Sequence, residues 1–169
     1  MSARAAYALG FLLCAGLLAF AYYLQYFQNQ EPCPLCILQR VAFIDMMVVF
    51  AVAAIHSPKR RGAILYSGLL FVMAAMGAAI AGRQVWLQHL PPDKVPACGP
   101  GLDYMLEQFP LSEALHKIFA GSGECAEAGW RFLGLTIAGW SLLWFVVLGV
   151  LAVYAAMRTA RAQARGSGA

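Results

Sequence analysis

Four long apolar stretches dominate the chain, and each is followed by a turn or a polar segment. A helix needs about 20 residues to cross a bilayer, and the length of each stretch is close to this. The predicted spans run over about 5–27, 38–55, 63–82 and 132–157. Apolar segments of this length are interpreted as helices because a helix satisfies its own backbone hydrogen bonds in lipid.

Polar residues concentrate in the connection at about 28–37 and in the connection at about 83–131. Four apolar residues of the longer one share a helical face: Leu111, Leu115, Ile118 and Phe119. This face predicts a short helix that either lies on the membrane surface or forms a small core of the loop. The sequence therefore predicts an all-α membrane protein, a four-helix bundle with a short and a long outer loop.

Composition supports insertion into a membrane. Of the 169 residues, 62% are hydrophobic and 12% are charged, whereas soluble domains have about 45–50% apolar and about 25% charged residues. The excess apolar surface must face lipid. The length indicates a single domain over residues 1–169.

Charge gives the predicted bundle an orientation. One end carries only basic residues: Arg4, Lys59, Arg60, Arg61, Arg158, Arg161 and Arg165. The other end carries the loop acids: Glu31, Asp93, Asp103, Glu107, Glu113, Glu124 and Glu127. The positive-inside rule places both termini, including the tail 158–169, in the cytoplasm and both loops outside. The net charge of +4 is then explained by topology and does not indicate nucleic-acid binding.

The first span has a second interpretation. Arg4, the apolar run and Ala19-Phe20-Ala21 also match a cleavable signal peptide. The run continues to Phe27, beyond the length of a typical signal core, and this favours a retained helix. Cleavage would leave the orientation of the other three helices unchanged.

Cysteines are the candidate chemistry of the chain. Cys14 lies inside the first span and is interpreted as a packing residue. Cys33 and Cys36 form a C-x-x-C directly before an apolar helix, at the membrane boundary. A disulfide between them closes a very small loop and constrains the unfolded chain little. The spacing therefore favours a redox-active pair over a structural staple.

The position of Cys36 favours its ionised form. If the helix begins near Cys33 or Pro34, Cys36 lies in the first turn, where free N–H groups and the helix dipole stabilise a thiolate. Arg40 follows one turn later on the same face. Either its positive charge stabilises the thiolate further, or its side chain extends to place that charge at the membrane interface.

Cys98 and Cys125 lie in the long outer loop. A bond between them would close a long loop and stabilise it, whereas the flanking Gly and Pro residues indicate a movable segment that an incoming protein engages. Spacing leaves both interpretations open.

A metal or haem site is disfavoured. Structural zinc sites usually show two closely spaced cysteine pairs, and here only one pair is close. Attachment of a c-type haem is excluded because Ile37, not a histidine, follows Cys36.

Two further polar residues lie near the predicted boundary. His89 is either an interfacial residue or part of a site, because it lies at the same membrane depth as Cys36 and Arg40. Asp45 stands about two turns into the second helix, where an ionisable group is costly. It is interpreted as a partner of Arg40 or Arg83, or as a protonated group.

The outer motifs form an ordered set: Pro32-Cys33-Pro34-Leu35-Cys36-Ile37-Leu38-Gln39-Arg40, Gln88-His89, Cys98, Ser122-Gly123-Glu124-Cys125-Ala126-Glu127 and Trp130-Arg131-Phe132-Leu133-Gly134-Leu135. With these motifs in this order, the chain closely resembles the disulfide bond formation protein B (DsbB) family over almost its whole length. The resemblance implies an enzyme of the bacterial inner membrane, a protein-disulfide:quinone oxidoreductase. Such proteins reoxidise the periplasmic thiol oxidase DsbA and pass the electrons to ubiquinone or menaquinone.

The resemblance also implies roles for the cysteines. By position, Cys98 is similar to the cysteine that forms the mixed disulfide with DsbA, and Cys125 is similar to its disulfide partner. Cys33 and Cys36 are similar to the second disulfide, which receives the electrons through a transient Cys33–Cys125 link.

For the quinone, the resemblance implies that Cys36 is the thiolate in contact with it. Arg40 resembles the residue that stabilises this charge, and His89 resembles a quinone-site residue. The resemblance implies no role for Asp45, so the role of this residue stays open.

Three alternatives are weighed against this function. In the vitamin K epoxide reductase-like family the loop pair precedes the C-x-x-C, and here the order is reversed. A second alternative is a DsbB paralogue that serves a dedicated oxidase. The third is a four-helix scaffold without enzymatic activity, in which both cysteine pairs are staples.

Overall fold

The computed structural model describes residues 2–95, 109–110, 112–113, 118–119, 121, 123–127 and 129–166. Its elements are α1 (Ala3–Phe27), α2 (Pro34–His56), α3 (Arg60–Leu87), the 3₁₀ turn Pro92–Lys94, the one-turn helix α4 (Gly123–Ala126), β1 (Arg131–Phe132), β2 (Leu135–Thr136) and α5 (Ile137–Gly166). In this part of the chain, α1, α2, α3 and α5 are the four helices long and apolar enough to cross a membrane. The predicted four-helix membrane bundle is confirmed.

Helix α2 begins earlier than the hydropathy pattern predicts. Cys33 is the N-cap, and its sulfur accepts a hydrogen bond from the backbone N–H of Cys36 at 3.4 Å. Pro34 occupies the first helical position, where its missing N–H leaves no donor unpaired. The predicted start at Leu38 is therefore late, and the C-x-x-C spans the helix N-terminus.

Helix α3 extends past its predicted end at residue 82, as far as Leu87. Ala81, Gln84 and Leu87 are all buried, and their spacing of three places them on one helical face. The buried face thus continues by more than a turn beyond the apolar window. This extension brings Gln84 into the interior.

The predicted helix start at Phe132 is wrong, because α5 begins at Ile137. Phe132 instead pairs with Leu135 in an antiparallel hairpin. Between them, Leu133 has a φ of 52° and Gly134 a φ of 81°. A two-residue hairpin turn of this kind requires positive φ at both positions, which breaks the helix.

The main core is closely packed between α3 and α5. Gly77 lies against the ring of Phe145, and this ring stacks on Phe43 of α2 with 4.1 Å between centroids. Nearer the N-terminus of α3, the hydroxyl of Ser67 donates to the backbone carbonyl of Ala152 at 2.7 Å. These contacts hold three helices together around a common centre.

The two ends of the bundle carry different groups. At one end the backbone N–H of Arg60 donates to Gln163 of α5 at 3.2 Å, so the α2–α3 connection lies beside the C-terminal part of α5. At the other end a smaller buried cluster comprises Cys33, Leu35, Ile80, Leu87, Ile118 and Cys125. The predicted short helix over 111–119 falls largely outside the described residues, but Ile118 packs in this cluster while Phe119 is exposed.

Candidate functional site

The two thiols of the C-x-x-C lie together at the start of α2. The sulfur atoms of Cys33 and Cys36 are 2.8 Å apart, whereas a disulfide bond is about 2.05 Å long. Cys33 is buried and Cys36 is half-buried. The structure shows the pair as two unbonded thiols within reach of each other, and the Cys33–Cys36 disulfide stays a prediction.

A glutamine of α3 contacts both sulfurs. Nε2 of Gln84 donates to Sγ of Cys36 at 3.2 Å and to Sγ of Cys33 at 3.3 Å. Nε2 of Gln39 in turn donates to Oε1 of Gln84 at 2.7 Å. Gln84 is 4% exposed and Gln39 is 3% exposed. The cysteine pair therefore sits against a buried chain of two amides.

These two glutamines are the site residues that the sequence pattern did not reveal. Gln39 stands in the motif that follows Cys36, and Gln84 is a polar residue at the end of an apolar helix. Polar side chains in membrane helices often hydrogen-bond across a helix interface, and this is the signal available in the sequence. Which partner each amide meets depends on how α2 and α3 pack.

Cys125 contacts the pair from the long connection. It lies in α4, is fully buried, and shares the small apolar cluster with Cys33. Hydrogen bonding with Cys125, then hydrogen bonding with Cys36, then burial raise the pKa of the Cys33 thiol above its ordinary value. Both neighbouring sulfurs and burial therefore favour the protonated form of the Cys33 thiol.

A cavity of about 460 Å³ opens beside the cysteine pair. Its apolar and aromatic wall includes Leu17, Leu18, Phe20, Leu24, Trp130, Trp140 and Trp144. Polar groups gather where Cys36, Gln39, Arg40 and Gln84 line it. A cavity of this size, mostly apolar with a few converging polar groups, is typical of sites for small organic ligands.

Arg40 lines this cavity and is bound to α1. Its Nη1 donates to Oε1 of Gln25, and its Nη2 donates to the backbone carbonyl of Ala21 at 3.3 Å. The guanidinium carbon also lies 5.1 Å from the centroid of the Tyr22 ring. These contacts hold a permanent cation at the cavity wall. Its effect on the Cys36 thiolate stays a prediction, and the side-chain amide in contact with that sulfur belongs to Gln84.

Other residues singled out in the sequence lie apart from the cavity. His89 is exposed, with Nδ1 at 2.8 Å from the carbonyl oxygen of Val85, and it is not among the cavity-lining residues. Asp45 is exposed on α2. Cys14 is buried in the main core, in agreement with a packing role. The quinone-site role of His89 stays a prediction.

Two further expectations from the sequence concern the outer disulfide and a metal site. Cys98 lies outside the described residues, so its bond to Cys125 stays a prediction. Within the part of the chain that the structure describes, no group of three or more His, Cys, Asp or Glu side chains is arranged to hold a metal ion.

The chain is similar to known proteins over nearly its full length. The family model described as "Disulfide bond formation protein DsbB" matches residues 3–155. A protein of Nitrosococcus oceani named Disulfide bond formation protein B is 55% identical over 159 residues, which cover 94% of each chain. Proteins of the same name are 55% identical in Hahella chejuensis, over 90% of this chain and 91% of the relative, and 49% identical in Marinobacter nauticus, over 94% of both.

Proposed function

The chain belongs to the DsbB family of disulfide bond formation proteins, and we propose that it reoxidises a periplasmic DsbA-type thiol oxidase and passes the electrons to a membrane quinone. Membership in this family implies oxidoreductase activity. The observation that carries the more specific proposal is the contact of Cys33 with both Cys36 and Cys125, beside a largely apolar cavity.

The proposed reaction begins at the long connection. A thiolate of the reduced partner attacks Cys98 of a Cys98–Cys125 disulfide, which forms a mixed disulfide and releases Cys125 as a thiolate. The second partner thiol then displaces Cys98. The partner leaves with a new disulfide, and the electron pair now resides on the thiols of Cys98 and Cys125.

The second exchange moves the electrons inward. The Cys125 thiolate attacks Cys33 of the Cys33–Cys36 disulfide, which forms a Cys33–Cys125 bond and releases Cys36 as a thiolate. Cys98 then attacks Cys125, which restores the outer disulfide and leaves Cys33 reduced. The contact between Cys33 and Cys125 supports this step because exchange requires the attacking sulfur to reach its target.

The chain's own residues fit a quinone as the second substrate. The apolar and aromatic cavity wall suits its ring, and Arg40 supplies a cation for a carbonyl oxygen. A quinone accepts the electron pair and two protons and becomes a quinol, while the thiols of Cys33 and Cys36 close to a disulfide. The overall reaction is therefore partner dithiol plus quinone giving partner disulfide plus quinol.

The same proposal gives the protein a location and an orientation. Arg4, Lys59, Arg60, Arg158 and Arg161 lie at the end opposite the cysteine pair. We place this basic end in the cytoplasm and the cysteine end in the periplasm, across the bacterial inner membrane.

Purified protein in detergent, mixed with a reduced DsbA-type oxidase and ubiquinone or menaquinone, tests the proposal. We expect one quinone to be reduced for each partner dithiol lost, and we expect Cys33→Ser to abolish the reaction. Cys14→Ala is the matched control because this cysteine lies in the bundle core away from the cavity, and it should retain turnover. Partner and quinone that both keep their redox state would overturn the proposal and favour a structural scaffold.

A further inference from the structure

The side-chain amide of Gln84 is placed to distinguish the oxidised from the reduced cysteine pair. Its Nε2 lies 3.2 Å from Sγ of Cys36 and 3.3 Å from Sγ of Cys33. Hydrogen bonds to an ionised acceptor are roughly twice as strong as those between neutral groups. An N–H at this position therefore stabilises a thiolate more strongly than it stabilises the weakly accepting sulfurs of a disulfide.

The orientation of this amide is set by a second one. Gln39 donates to Oε1 of Gln84 at 2.7 Å, and an amide oxygen that accepts this bond leaves its NH₂ group directed at the sulfurs. Both side chains are almost fully buried. Burial of an amide is costly unless it is hydrogen-bonded, so the arrangement is stable only while each amide keeps its partners.

The amide of Gln84 can also accept a hydrogen bond from the protonated form of Cys36. Oε1 of Gln84 lies 3.6 Å from Sγ of Cys36, within reach of an S–H donor, while Nε2 of the same side chain serves the ionised sulfur. Cys33 differs, because its contacts with Cys125 and Cys36 favour the protonated thiol. The environment therefore directs negative charge in the reduced pair to Cys36.

We propose that Gln84 sets the reduction potential of the Cys33–Cys36 pair by stabilising the Cys36 thiolate, and that Gln39 is the positioning residue that orients it. This rests on the proposed function, in which the pair accepts electrons from a partner dithiol. When the disulfide is reduced, its S–S bond breaks and it takes up two electrons and one proton, giving a Cys33 thiol and a Cys36 thiolate. The partner dithiol loses two electrons and two protons, and the second proton goes to solvent.

Stabilisation of the reduced form makes a disulfide a stronger oxidant. Gln84 therefore makes the Cys33–Cys36 disulfide easier to reduce by the partner. Loss of the amide leaves the disulfide form relatively more stable, and the potential falls. Loss of Gln39 also lowers the reduction potential, but by less, because the Gln84 amide is still present and only its orientation is no longer held.

The test is a redox titration of the full-length protein in detergent against dithiothreitol, without partner or quinone. Alkylation and mass spectrometry of the peptide that carries Cys33 and Cys36 report the reduced fraction. Gln84→Met keeps the side-chain length and removes the amide. We expect the equilibrium constant for reduction to fall about tenfold, which for a two-electron couple is about 30 mV. Gln39→Met should shift it in the same direction by less.

Ser67→Ala is the matched control, because it removes another buried hydrogen bond from α3, remote from the sulfurs. It should change thermal stability without changing the potential. An unchanged potential in folded Gln84→Met overturns the proposal, and if that variant does not fold, an unchanged potential in Gln39→Met does so. Because the titration needs neither partner nor quinone, its result is independent of whether the proposed electron transfer is observed.

Discussion

The thiol of Cys125 lies beside the thiol of Cys33, although one belongs to the long connection and the other caps α2. Both residues are buried in the same small apolar cluster. The contact joins the two cysteine-bearing segments of the chain, and it leads to two of the predictions below.

A covalent link between these two residues should form when the competing bond is removed. In a variant with both Cys36→Ser and Cys98→Ser, Cys33 and Cys125 have each lost their proposed disulfide partner, so mild oxidation should yield a Cys33–Cys125 disulfide. Peptide mass spectrometry without reduction detects it, and Cys33→Ser is the control that should lack it. If Cys33 and Cys125 both stay alkylatable in the oxidised double variant, the contact does not support exchange.

The roles proposed for the outer pair differ, and so should their variants. Cys98→Ser should abolish the mixed disulfide with the DsbA-type partner, because the attacked sulfur is gone. In Cys125→Ser, Cys98 is a free thiol that attacks the disulfide of the oxidised partner, and the resulting mixed disulfide should accumulate because no Cys125 thiolate is present to attack Cys98 and release the partner. Non-reducing electrophoresis separates the two results. The opposite pattern would show that the two roles are exchanged.

The pH dependence of Cys33 labelling should change when Cys125 is replaced. Hydrogen bonding with Cys125 is the largest cause that raises the pKa of Cys33. A raised pKa means less thiolate at a given pH, so Cys125→Ser should lower the pKa and shift the onset of iodoacetamide labelling to lower pH. Peptide-resolved alkylation from neutral to strongly alkaline pH measures this shift. Cys14→Ala should leave the profile in place, and an unshifted profile in Cys125→Ser would contradict the assigned cause.

Arg40 should matter for use of the quinone. It lines the cavity and is held by Gln25 and the Ala21 carbonyl, so Arg40→Ala removes both a cation and a link to α1. Hydrogen bonds to charged groups contribute about 1.5–3 kcal/mol, so kcat/KM for the quinone should fall about tenfold or more. Arg83→Ala is the control, since Arg83 does not line the cavity and instead lies 4.3 Å from the Trp86 ring. Equal losses in the two variants would contradict a specific role for Arg40.

The packing of α3 on α5 should be sensitive to a single methyl group. A Cβ at Gly77 would overlap the ring of Phe145, which is itself stacked on Phe43. Overpacking of this kind costs about 1–3 kcal/mol, so Gly77→Ala should lower the thermal unfolding temperature in detergent. At Gly68 of the same helix, an added Cβ would have no neighbouring atom of the described residues within 4 Å. Gly68→Ala should therefore be neutral or slightly stabilising, since alanine is the better helix former. Equal effects of the two substitutions would show that the Phe145 contact does not limit packing.

The sequence by itself determined the four spans, the polarity of the two ends and the placement of a C-x-x-C at one of them. These are local properties, because hydropathy is summed along one helix at a time and charge is counted in the connections between helices. It did not determine the element ends well. Phe132 carries an apolar side chain, and only the positive φ values of Leu133 and Gly134 make its segment a hairpin.

The tertiary structure alone decided which groups surround the sulfurs. Gln84 lies 48 residues after Cys36, and a single glutamine hardly changes the hydropathy of an apolar window. Arg40, the nearest cation in sequence, reaches α1, whereas the amide in contact with the sulfurs comes from α3. Side-chain contacts between helices depend on their rotation and depth in the bundle, and no property of one segment specifies these.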